Sequence, residues 1–193
     1  MLYGLCRGTD YCVGDHLAFS LSGQAPFDIF YRFHGKDRKA HINSHEFKRI
    51  AEQASEFVVT GVQDSVAVGG GGKCKAKQDI RKMVHPFPTV RLSHGKTLTT
   101  DIHEGGEVEL VFEFTGTPPF EFTYTRSENA KSSKGRSAKV LETKSDSSSE
   151  FVKVLRASDE GTYEVVSIKD RYCAYAAPGL AKADGQKSQK LLT

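Results

Sequence analysis

The chain repeats itself, and the repeat is what most limits its fold. Residues 17–31 read LAFSLSGQAPFDIFY and residues 110–124 read LVFEFTGTPPFEFTY, a match at a shift of 93 residues without a gap. Both copies follow L-x-F-x-[LF]-[ST]-G-x-x-P-F-[DE]-[IF]-x-Y. Two further matches follow in the same order: Glu46-Phe47 with Glu150-Phe151, and VTGVQD (59–64) with VVSIKD (165–170). The shift grows from 93 to 106 along the copy. Collinear matches with a growing shift predict a duplicated unit of about ninety residues whose loops differ in length. The 193 residues suit two small domains.

The periodicity inside each copy is that of strands. Leu17, Phe19 and Leu21 alternate with Ala18 and Ser20, and Val108, Leu110, Phe112 and Phe114 alternate with Glu109, Val111 and Glu113. A period of two puts one apolar row inside and one polar row outside. By the same rule Tyr31 and Tyr124 are expected in the core on the next strand. Between the two runs, Gly23 and Gly116 permit positive φ, while Pro26 and Pro119 fix φ and end a strand, so G-x-x-P-F predicts a turn. Further strands are expected near 139–143, 151–155, 163–168 and 172–175. Residues 46–53 carry helix formers but align with a strand in the second copy, so strand and short helix both stay open there.

Strands at short, even spacing predict a sandwich or barrel. Asp159-Glu160-Gly161-Thr162-Tyr163 narrows this to an all-β pair of immunoglobulin-like sandwiches. D-x-G-x-Y before a strand is the pattern of the tyrosine corner, in which the Tyr163 hydroxyl closes back on the backbone at the start of strand F. Val165 stands where immunoglobulins have the strand F cysteine, Phe57 and Val59 occupy the matching places in the first copy, and the chain has no Trp. The sheets are therefore expected to be held by apolar contacts. Domain one is expected at 1–83, domain two at 84–179, and 180–193 as a disordered tail or linker. Leu2–Leu5 would supply strand A, and the charged stretch 75–86 a short junction.

These motifs resemble the luminal repeats of the fungal pore-membrane nucleoporin family. The resemblance rests on G-x-x-P-F-x-[IF]-x-Y paired with DEGTYEVVSIKDRYC, on Gly14-Asp15 after Cys12-Val13, and on D-x-x-C at Asp170–Cys173, and it covers residues 12–175. It implies a string of immunoglobulin-like domains in the perinuclear space, making homotypic lateral contacts with neighbouring repeats or chains. The sequence departs from that pattern at Gly105, where the first copy has Cys12, and in the glycine insert of the first domain. An extracellular adhesion or receptor pair with the same fold is the alternative reading.

Other chemistry finds little support. The charges, 27 Lys+Arg against 24 Asp+Glu, lack the basic bias of a dedicated nucleic-acid binder. The Lys- and Ser-rich stretch 129–149 has no interleaved aromatic for base stacking, so a loop is the plainer reading. No run reaches the ~20 apolar residues of a membrane span. The opening MLYGLCRGTD has no basic segment before an apolar core, so a chain like this in a secretory compartment is expected to be part of a longer one. Gly69–Gly72 before Lys73 lacks the Walker spacing and predicts an F–G hairpin loop. His41 and His45 lie four apart with no third ligand, so no metal or cofactor is expected. No nucleophile-and-base pattern predicts an enzyme, and Asp28 and Glu121 are expected on the outer face of strand C. Of the four cysteines, Cys12 with Cys74 is the candidate disulfide, with Cys6 the alternative partner and free thiols the plain alternative. A loop of that length would contribute ~4 kcal/mol in the chain-entropy picture.

Overall fold

The apolar rows become paired strands in two separate units, Met1–Pro86 and Phe87–Thr193. The computed structural model describes the backbone of residues 2–4, 8–68, 72–95, 106–128 and 139–176, and side chains over 8–66, 79–95, 106–128 and 139–176. The expected tail at 180–193, the tip of the glycine loop, the basic stretch 129–138, Cys6, Gly105 and the side chain of Cys74 lie outside these residues.

The first unit runs β1 Leu2–Gly4, β2 Asp10–Cys12, β3 His16–Leu21, β4 Phe27–Phe33, β5 Lys36–Ile42, β6 Glu46–Ile50, β7 Ser55–Val68 and β8 Gly72–His85. Its sheets are β1-β3-β6 and β2-β8-β7-β4-β5. The second unit runs β9 Thr89–Leu92, β10 Val108–Thr115, β11 Phe120–Ser127, β12 Val140–Ser148, β13 Val152–Ala157, β14 Thr162–Lys169 and β15 Ala174–Ala176. Its sheets are β13-β10-β9 and β12-β11-β14-β15. Both units share one order, E-B-A on one sheet and C′-C-F-G on the other, which is the immunoglobulin-like sandwich. The first adds β2 as an A′ strand, parallel to β8.

Each core is built from aromatics. Phe19 of β3 stacks at 5.8 Å on Phe47 of β6 and at 5.7 Å on Phe57 of β7, and Phe57 stacks on Tyr31 at 5.1 Å. In the second unit Phe112 meets Phe122 at 4.9 Å, and Phe114 meets Phe120 and Phe122 at 5.0 Å. Leu17, Phe19, Leu21, Leu110, Phe112, Phe114 and Tyr31 are buried. These stacks link the two sheets where an immunoglobulin has its B–F disulfide.

Several expectations need correction. Tyr124 is only half-buried. Tyr31 is covered by Phe47 and Phe57, but the residue opposite Phe112 in the second unit is Lys153, and the place of Phe57 is taken by Tyr163, 6.5 Å from Tyr124. The ladder of β11 against β14 shifts between Thr123 and Tyr124 just as that of β4 against β7 shifts between Phe30 and Tyr31, so the difference lies in the covering side chains and not in the ladder. Glu46-Phe47 does not correspond to Glu150-Phe151. Phe47 faces Phe19 and Lys153 faces Phe112, so the true shift there is two residues larger. Residues 46–50 are strand. The supposed junction 75–86 is mostly strand β8, whose inward row Ile80, Lys82, Val84 hides its period behind a buried lysine. The Lys82 ammonium donates to the Gly8 carbonyl and the Tyr11 hydroxyl, both at 2.8 Å. The strand expected near 139–143 is β12, which runs on to Ser148 through part of the stretch 129–149 read as a loop.

Candidate functional site

The repeated G-x-x-P-F turns are latched in the same way in both units. Gly23 and Gly116 sit at φ +135° and +138°, a region open to glycine but strained for other residues. A Cβ at Gly23 would lie 2.7 Å from Asp64 Oδ2, and one at Gly116 would lie 2.6 Å from Asp170 Oδ2. The peptides before Pro26 and Pro119 are both cis. In each unit a backbone N–H near the end of strand F donates to the turn: Ser65, within β7, to the Gln24 carbonyl and Arg171, just past β14, to the Thr117 carbonyl, both at 3.0 Å. The buried Asp170 carboxylate accepts from the N–H groups of Thr117 (2.8 Å), Tyr172 (2.9 Å) and Cys173 (2.7 Å). Asp64 accepts only from Val66 in this way, at 3.2 Å. The sequence comparison matched both aspartates without joining them to the turn. Their retention beside the glycines was the available signal.

At the other end of strand F, the Tyr163 hydroxyl donates to the Asp159 carbonyl at 3.0 Å. Burial pushes the phenol above its ordinary value. Arg126 lies beside it and donates to the Glu160 carbonyl at 3.0 Å, with Glu142 at 3.6 Å and Asp159 at 3.9 Å. The first unit has Phe57 here, inside the aromatic stack.

The charged groups pair locally. Asp28 alternates with the core residues Phe27 and Ile29 and so faces away from the core as expected, but it is buried there under side chains of β5. It bonds His41 at 2.8 Å and Lys39 at 3.0 Å, which hold its carboxyl below the ordinary range. Glu121 is exposed and pairs with Lys169 at 3.1 Å. His45 bonds the Gly23 carbonyl at 3.2 Å, away from His41. Asp10 accepts from Thr9 and His85, which lower its pKa. Burial raises that of Asp146, but the Lys153 ammonium at 2.6 Å and the Ser147 N–H outweigh it. Cys12 and Cys173 are both in disulfides.

Among the described residues no group of three or more His, Cys, Asp or Glu is placed to hold a metal ion. Among the described residues no helix is long and apolar enough to cross a membrane. The surface chemistry on offer is that of strand edges and exposed apolar side chains, among them Phe151, Val140, Ile50, Val152 and Val154, of which Phe151, Val152 and Val154, at 56%, 52% and 48% exposed, adjoin one another in sequence.

Two sandwiches of one strand order, built from a duplicated sequence, define a class: tandem immunoglobulin-like sandwich domains. The chain belongs to the immunoglobulin-like repeats of the Pom152 nucleoporin family. Residues 3–83 match the description "Nucleoporin pom152-like, ninth immunoglobulin-like domain" and residues 87–176 match "Nucleoporin POM152, Ig-like domain". The chain is 40% identical over 168 residues to nucleoporin pom152 of Schizosaccharomyces pombe, and 40% identical over 173 residues to nucleoporin POM152 of Saccharomyces cerevisiae. Each match takes in 86% of this chain and 13% of the relative, so the chain spans a small part of the length of the curated relatives it matches.

Proposed function

We propose that the chain is a non-catalytic structural scaffold: a pair of luminal repeats of a nuclear pore membrane-ring protein, associating laterally with neighbouring repeats or chains around the pore. The family membership carries this reading, because both units match repeats of nuclear pore proteins. It favours the pore over the extracellular adhesion pair. The mechanism is mechanical. Each sandwich buries its own core, and open strand edges present unpaired N–H and C=O groups that can recruit another chain. Contacts of the ~1,000 Å² class suffice, because strength in a ring comes from many repeats acting together.

The test is made on the full-length protein that contains these repeats. An epitope placed in the second unit should become accessible to antibody only after the nuclear membranes, and not merely the plasma membrane, are permeabilised. Two differently tagged full-length copies should be captured together from solubilised nuclear envelopes. An epitope exposed to the cytoplasm, or copies that never co-purify, would contradict the reading.

A further inference from the structure

The first half of strand β13 has reversed polarity, while Leu155 and Ala157 face the core in the usual way. Its sequence is Val152-Lys153-Val154-Leu155-Arg156-Ala157, and Lys153 points toward the core side while Val152 and Val154 stand about half exposed on the outer face. The Lys153 ammonium is held there by Asp146 and the Ser147 carbonyl, 6.0 Å over the Phe122 ring. The matching strand of the first unit, β6, buries Phe47 with Glu46 and Lys48 outside, and beyond it turns Arg49 over the Tyr31 ring and leaves the single Ile50 exposed. Val111 of β10 lies directly beside Val154, so the outer face of this sheet carries an apolar centre. Glu109 lies beside Arg156 and Glu113 beside Val152, with Arg91 next to Glu113 on the far side, giving two charges of each sign around that centre.

The edge itself is open. Among the described residues β13 pairs only with β10. The Phe114 N–H donates to the Phe151 carbonyl, so the alternation of an antiparallel ladder directs the backbone groups of Lys153 and Leu155 toward β10. Those of Val152, Val154 and Arg156 point outward, and these are the residues whose side chains form the outer face.

We propose that the β13 edge is a homotypic docking strand, which pairs antiparallel with β13 of a second copy about a two-fold axis through Val154. The inference rests on the lateral-association reading above and names the surface that carries it. The two-fold places Val154 opposite Val154 of the second copy, with a Val111 beyond each, so the apolar centres merge into one row. It places Arg156 of each copy, which lies 3.9 Å from Glu107 and Glu109 of its own chain, opposite Val152 of the other and one strand from Glu113, whose carboxylate His94 already holds at 2.8 Å and a long guanidinium arm can join. The mixed charges of the face thus complement themselves under this symmetry. An isologous contact of this kind closes after two copies.

Val154→Cys in the 193-residue chain tests the geometry. Opposed residues of a hydrogen-bonded pair lie about 5.5 Å apart, within disulfide range. Mild oxidation should give a covalent dimer from Val154→Cys and none from wild type. Val111→Cys should give none, because three strand spacings separate the two copies by about 14 Å. Val154→Lys should raise the dimer dissociation constant by about tenfold or more in sedimentation equilibrium, with an unchanged thermal melt. If wild type associates and Val154→Lys associates as tightly, or if Val111→Cys cross-links instead, the edge assignment is wrong while lateral association stands. If wild type stays monomeric throughout, both fail together.

Discussion

Gly116 cannot gain a side chain without displacing Asp170, and Asp170 cannot move without releasing three backbone N–H groups. Gly116→Ala is therefore expected to destabilise the second unit by about 1–3 kcal/mol from backbone strain, before any cost of the clash. Asp170→Ala should cost a further ~1–3 kcal/mol, because buried donors lose their acceptor. Denaturant unfolding of each variant would check both, and a near-neutral Gly116→Ala would mean the turn is not held as described. Tyr163→Phe should cost ~1 kcal/mol for its single bond to Asp159. Asp28 gives a pH dependence. Its folded pKa lies below 3.8 through His41 and Lys39, so its stabilisation is present above that value and is lost as pH falls through the depressed folded value. Asp28→Asn should therefore be less stable than wild type at pH 6, and the gap should close as pH falls below 3.8 through the depressed folded value. A gap that persists in acid would show that the ion pair is not its source.

At the scale of strands, sequence legibility followed polarity. The B strands were plain because Leu17, Phe19, Leu21 and Leu110, Phe112, Phe114 alternate cleanly and are buried. Phe112→Ala is expected to cost ~3–5 kcal/mol, since it removes a ring packed on Phe122 and Tyr124. Chemical denaturation would test this, and a loss under 1 kcal/mol would contradict the core placement. Strand β8 was missed because Lys82 occupies an inward position that period reading assigns to an apolar residue. Strand β13 was placed but registered two residues off, because Phe151 resembles Phe47 in sequence while Lys153 takes its place in the ladder. The turn latch was half visible: its glycines, prolines and aspartates were all in the matched segments. What joined them is a contact between residues 53 apart, which no local pattern carries.

At the scale of the whole molecule, the two units share a strand order but differ in what they show to solvent. The first presents charged edges such as β5, LysAspArgLysAlaHisIle in sequence, a composition that discourages pairing with another chain. The second presents the valines of β13 on an open edge. Association is therefore expected to run through the second unit. The account stands or falls on whether the chain works by association, and sedimentation velocity of the wild-type chain across a wide concentration range asks this directly. A weight-average sedimentation coefficient that rises reversibly with concentration, from monomer toward dimer, is the predicted result. A coefficient that stays at the monomer value at every concentration would contradict it.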